Sequence, residues 1–334
     1  MSQRPSNRVV MTAAPQVYEV EEGQGDDPIQ EAELWHALET TFSSPSYRPP
    51  KLPQVAVELL ALSGKRNVEV AELVHLLERD SLLATRVVTR SNAPGLGATS
   101  PVRSLKAAVV RLGLAELRDL VMEESLGTRV FRAPGYQDAL ERVRLHSVAT
   151  AHLARLVATA TPFEGDYAFL CGLLHDVGYS TALVALAEGA SAGRKPGTPA
   201  TPLRPVTLLW PALAQVHERV AAHLAPEWKL TDEVRLVIQS HHVLELGGVV
   251  HPVAAVVALA EVLASELGFG LVPAATDVPV GLHPFTIDLP GERQRMQALD
   301  ALRVDARALA RLRAEAPARL TAAGLVPAVK AKAG

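Results

Sequence analysis

His175 and Asp176 stand side by side at the end of the apolar run Leu170-Cys171-Gly172-Leu173-Leu174 and are followed by Val177-Gly178. An imidazole nitrogen next to a carboxylate oxygen can reach one divalent ion, but such an ion needs about four to six donors. The chain offers further donors at separated points: His146, His217, the pair His241-His242, and Glu261. All are nitrogen or carboxylate oxygen, the set that suits Fe, Mn, Mg or Zn. If all seven converge, two ions would share one pocket and activate a water for attack at neutral pH. The same residues could instead make a buried metal-free network, with Asp176 orienting His175 or His146 through hydrogen bonds.

The elements that must position these groups read as helices. His146 opens a face continued by Ala149, Leu153, Val157 and Ala160, so the imidazole should point inward. The run up to Leu174 should be a helix whose end presents His175 and Asp176. Thr231-Asp232-Glu233 should open the helix that precedes His241-His242, and Glu261 lies in the apolar stretch Val253 to Leu267. Upstream, Asp27-Pro28-Ile29-Gln30 carries an N-cap, a first-turn proline and a capping-box glutamine, which predicts a helix from there to Phe42 with Leu34, Leu38 and Phe42 inward.

Of 334 residues 48% are hydrophobic but only 4% aromatic, so the core must be built from Leu, Val and Ala in closely approaching helices. With 33 basic against 36 acidic residues and no basic stripe, binding to nucleic acid through phosphate contacts is not expected. Cys171, the single cysteine, excludes an internal disulfide and fits a reducing compartment. No stretch is free of charge for ~18 residues, so the chain reads as cytoplasmic and without membrane contact. Residues 1–26 read as a polar, disordered lead and 27–44 as a short helix. Gly189 to Pro205 reads as a mobile loop, and 271–334 as a Pro-rich connector with terminal helices.

The N-terminal half carries an ordered series of motifs: Leu52-Pro53, Asp80-Ser81-Leu82-Leu83, Arg86, Asn92, Ser104-Leu105-Lys106-Ala107-Ala108 and Leu112-Gly113. Followed by the His175-Asp176 half, they resemble the HDOD family, over roughly residues 45–270. The resemblance implies an all-α, multi-helix fold in which an N-terminal helical half (45–135) packs on an HD-type half (136–270). It also implies a bacterial signal-transduction or regulatory module, distantly similar to HD phosphohydrolases, that works through a signalling protein partner. On this reading Arg86, Asn92 and Arg103 would meet the partner, and the HD-type pocket would take a divalent ion, a nucleotide or nothing. The alternative is a metal-dependent phosphohydrolase or phosphodiesterase acting on a nucleotide.

Several positions depart from the family pattern. Ser81 replaces a proline, Tyr179 stands where catalytic HD enzymes carry a lysine, and Glu261 replaces the last aspartate. No Gly-Tyr-Pro follows His242, unlike the related cyclic-di-GMP hydrolases. The missing cation and tripeptide favour the regulatory reading.

Overall fold

The structure, a computed structural model, describes residues 11–12, 28–45, 47–65, 67–93, 101–129, 132–162, 167–191, 203–246, 249–271 and 291–326. Among them the chain is all-α. Helices α1 (Glu31–Phe42), α2 (Gln54–Ser63), α3 (Val70–Glu78), α4 (Ser81–Ser91) and α5 (Leu105–Arg129) form the first part. Then come α6 (Gln137–Thr159), α7 (Ala168–Leu174), α8 (Val177–Ser191), α9 (Val206–Leu224), α10 (Asp232–Ser240), α11 (Pro252–Glu266), α12 (Glu292–Ala301) and α13 (Ala306–Ala322). Extended backbone is limited to two short pairings, β1 (Met11–Thr12) parallel with β4 (Leu325–Val326), and β2 (Glu245–Leu246) antiparallel with β3 (Val249–Val250).

Local signals set several boundaries. The Asp80 carboxylate caps α4 by accepting from the Leu82 and Leu83 amides at 3.1 Å each, so Ser81 in place of proline leaves the turn intact. In α5 the backbone breaks at Gly113, whose φ of 71° is cheap only without a Cβ. The first helix starts later than Asp27-Pro28 predicts: Gln30 is its N-cap, without a side-chain cap bond. A tertiary contact prevails there, because the Ile29 amide donates to the Leu208 carbonyl at 3.1 Å and holds that segment against α9. The helix still buries Leu34 and Leu38 as the period required.

The HD-type helices hold the densest core. Helix α11 is buried from Val253 through Glu261, and α6 lies between α7, α11 and α13. With few aromatics, small side chains allow this: Ala149, Ala151, Ala154, Ala255, Ala258 and Ala260 are all at or near zero exposure. The stretch Ala168–Ala190 is long and apolar enough to cross a membrane, yet its most apolar 18-residue window is 94% buried inside the fold, as a core helix pair would be. Gly189, Ser191 and the residue between them extend α8, where a loop is expected from the composition; residues 192–202 and the connector 272–290 lie outside the described residues. The lead at 1–26 likewise falls outside them except for Met11 and Thr12.

Candidate metal centre

Two glycines permit the helix approaches on which the site depends. A Cβ on Gly172 would stand 2.9 Å from Ala151 Cα, and one on Gly178 would stand 1.8 Å from the His217 carbonyl oxygen. The first glycine lets α7 lie on α6, which carries His146; the second lets α8 lie on α9, which carries His217. Between α7 and α8 only a two-residue turn intervenes, formed by His175 and Asp176. The helix ends at Leu174 and presents the pair, as the sequence predicts; His175, its C-cap, keeps right-handed helical torsions, and its amide donates to Cys171 O at 2.9 Å.

All seven sequence-predicted donors come together. His146 Nε2 lies 3.2 Å from His175 Nε2 and 3.3 Å from Asp176 Oδ2. His175 Nε2 is 3.1 Å from Asp176 Oδ2 and 3.5 Å from Glu261 Oε1. The other Asp176 oxygen, Oδ1, faces His217 Nε2 at 3.7 Å and His241 Nε2 at 3.5 Å. His242 Nε2 adds to this side, 3.2 Å from His217 Nε2. The donors thus form two groups, His146–His175–Asp176–Glu261 and His217–Glu218–His241–His242, each with ligand atoms within 4.8 Å of one another. Asp176 turns one oxygen to each.

Glu218 is a further candidate donor that the sequence reading missed. Its Oε1 lies 3.4 Å from His241 Nδ1 and accepts the His242 amide at 3.1 Å. The available signal was its adjacency to His217.

The donor chemistry fits divalent ions. His146, His175 and His217 each direct Nδ1 at a backbone carbonyl: Phe269 at 2.8 Å, Gly172 at 2.8 Å and Ala214 at 2.9 Å. A carbonyl only accepts, so Nδ1 carries a proton and Nε2 is the nitrogen turned inward, the orientation that metal-bound histidines adopt. Facing lone pairs at these distances repel unless a proton or a metal cation lies between them. Asp176 Oδ1 and Glu261 Oε2 are also buried without a hydrogen-bond partner, which is costly for carboxylates.

Electrostatics separate the two groups. Burial, reinforced by His242, pushes His241 down to about 3. His217 is also pushed to about 3, by burial first, with Asp176 opposing. Both imidazoles are therefore neutral at neutral pH. Burial also opposes charge on His175, but Asp176 and Glu261 outweigh it and hold that imidazole well above its ordinary range. Asp176, despite its burial, is held well below the usual carboxylate range by His175 and the surrounding imidazole contacts.

Tyr179 is fully buried, its ring stacked between His217 (4.4 Å, 11°) and Trp210 (4.8 Å, 10°). It supplies aromatic support where an HD hydrolase would carry a cation. The residues assigned to a partner surface lie elsewhere. Asn92 is committed to its own backbone: Nδ2 donates to Val88 O and Val102 O, and Oδ1 accepts from the Val102 amide at 2.7 Å. Arg86 pairs with Glu124 at 3.4 Å, and Arg103 is exposed.

Comparison with known proteins agrees with this architecture. The HDOD domain family model matches residues 50–244. A crystal structure from Shewanella amazonensis SB2B, whose name proposes a metal-dependent phosphohydrolase, aligns with a TM-score of 0.58 at 17% identity, covering 86% of this chain and 99% of that one. An HDOD domain protein of unknown function from Geobacter sulfurreducens aligns at 0.56 and 22%, covering 86% and 98%. A Marinobacter aquaeolei VT8 protein, whose name proposes signal transduction, aligns at 0.57 and 20%, covering 87% and 64%. An uncharacterised protein of Treponema pallidum (strain Nichols) is 27% identical over 206 residues, 58% of this chain; the chain spans only 37% of that relative's length. With more than half of its length matched by the family model, this chain belongs to the HDOD domain family.

Proposed function

We propose that this chain is a regulatory HDOD module whose HD-type half is built around a divalent metal centre, and that its output is a non-covalent contact with a signalling protein. The observation that carries the metal reading is Asp176, which faces one donor group with each carboxylate oxygen. Three features favour regulation over turnover. His146, His175, Asp176 and Glu261 are no more than 2% exposed, which leaves a substrate little approach to the first group. Tyr179 offers no positive charge for a phosphate. The tripeptide of the cyclic-di-GMP hydrolases is absent after His242.

A second reading, a phosphohydrolase acting on a nucleotide, is favoured by the other group, where Glu218 and His242 are only partly buried. A bound ion would supply Lewis acidity and acidify water there. His217 and His241, neutral at neutral pH, would bind it without first losing a proton.

Elemental analysis of protein purified without chelator tests the metal reading. At least one tightly held Fe, Mn or Zn per chain is expected, and an empty protein that takes up none on dialysis would overturn it. Turnover assays of manganese- or iron-loaded protein on cyclic dinucleotides and nucleoside phosphates then separate the two readings. Rates above ~1 per second, ordinary for an enzyme, would replace the regulatory reading with the hydrolytic one.

A further inference from the structure

The seam where α4, α5, α6 and α13 meet gathers guanidinium groups around two carboxylates that are already shared. Arg90 donates to Glu116 Oε1 from Nε at 3.1 Å and Nη2 at 2.9 Å, and its Nη1 reaches the Ala322 carbonyl at 3.4 Å. Arg155 takes the other Glu116 oxygen and also pairs with Asp119, while its guanidinium lies 4.7 Å over the Phe169 ring. Asp119 accepts from Arg118 as well, at 2.8 Å. Arg319 arrives from α13 with Nε and Nη2 buried and no acceptor for either.

A buried guanidinium donor left unpaired is costly, and more so beside other cations. Burial and Arg90 both work against the charge on Arg319, with Glu116 opposing them. Burial and Arg319 do the same to Arg155, again against Glu116. The seam is not sealed: the Arg90, Glu116 and Arg155 side chains are 19%, 19% and 21% exposed.

We propose that this junction is an oxyanion site that takes one phosphate group, free or as a monoester, on Arg319, Arg90 and Arg155. Planar guanidinium forks match phosphate oxygens in pairs, and a phosphate offers more acceptors and more charge than a carboxylate. The site shares no residue with the metal centre. Arg319 lies C-terminal to the family-matched residues 50–244, so the site draws on helix α13 as well as on the matched part. A phosphate held there joins the N-terminal helices, through Arg90, to α6 and to α13.

The test is thermal unfolding of the full chain, stripped of metal with a chelating resin, at constant ionic strength. Titration with inorganic phosphate or with a nucleoside monophosphate is compared with chloride. A saturable rise in Tm of about 2–4 °C at tenfold saturation is expected in wild type and in Arg313→Gln, a control on the exposed face of α13. The rise is lost in Arg319→Gln. A response to free phosphate alone assigns the site to the inorganic ion; a response to both admits a monoester. An equal response in phosphate and chloride, or a phosphate response that survives in Arg319→Gln, overturns the proposal. Because the protein is metal-free, neither result depends on the metal reading.

Discussion

Gly178 packs against the backbone of His217 so closely that a methyl group on its α-carbon would overlap the His217 carbonyl. Backbone cannot yield as a side-chain tip can. Gly178→Ala should therefore push α8 from α9 and cost about 1–3 kcal/mol or more of stability, the range for an overfilled core. Its diagnostic effect is on the second donor group: metal bound per chain should fall relative to a Gly189→Ala control. Unchanged stability and stoichiometry would show that the two helices are not in this contact.

Asp176→Asn keeps the volume of the bridging side chain but removes its charge and turns a donor nitrogen toward the imidazoles. Metal content, read by mass spectrometry of the desalted protein, should fall to background for both groups together. Glu261→Gln should weaken the first group while the second persists. Equal losses in the two variants would mean that Asp176 does not serve both sides.

In metal-free protein, stability should decline as pH falls from 6.5 to about 5. His217 and His241 are held to about 3 in the fold but return to 6.5 when unfolded. In this window the unfolded chain binds more protons, so stability rises with pH, by up to about 1.4 kcal/mol per unit for each residue. His175 is raised instead, so its contribution is complete below pH 6.5 and is lost only as pH climbs through its elevated value. Urea midpoints measured at pH 5, 5.75 and 6.5 check this; a flat profile would contradict the neutral, buried state of the two histidines.

Asn92→Ala should destabilise the N-terminal half by about 1–3 kcal/mol, because it leaves the Val102 amide and carbonyl without their partner. Asn92→Asp should restore the acceptor but not the donor and recover part of the loss. Denaturant unfolding reads the effect, and metal content should not change. If both variants kept full stability while losing a protein partner, Asn92 would be a contact residue instead.

The convergence of the candidate donors was legible where a residue carries its own local mark. His146 lies on an apolar helical period, His175-Asp176 ends an apolar run, and Glu261 is an acid inside a hydrophobic helix. Glu218 was not, since a carboxylate beside a histidine on an amphipathic helix reads as its solvated flank until α10 is folded against it. The start of α1 was misplaced because its decisive bond joins Ile29 to Leu208, far along the chain. The role of Gly178 was hidden for the same reason: the atom that requires a glycine belongs to His217, on another helix. The anion seam depends on Arg319, whose neighbours Arg90 and Arg155 are distant in sequence and carry no common pattern.

The stack of His217, Tyr179 and Trp210 also has an optical consequence. The chain has three tryptophans, and the other two sit in different surroundings: Trp35 lies under the Arg219 guanidinium, and Trp228 donates to the Pro50 carbonyl. Trp210 is coupled ring to ring with the candidate donor His217 through one intervening tyrosine. Its emission is therefore a built-in gauge of what happens at His217, and the difference between wild type and Trp210→Phe isolates that signal without adding a label to the protein.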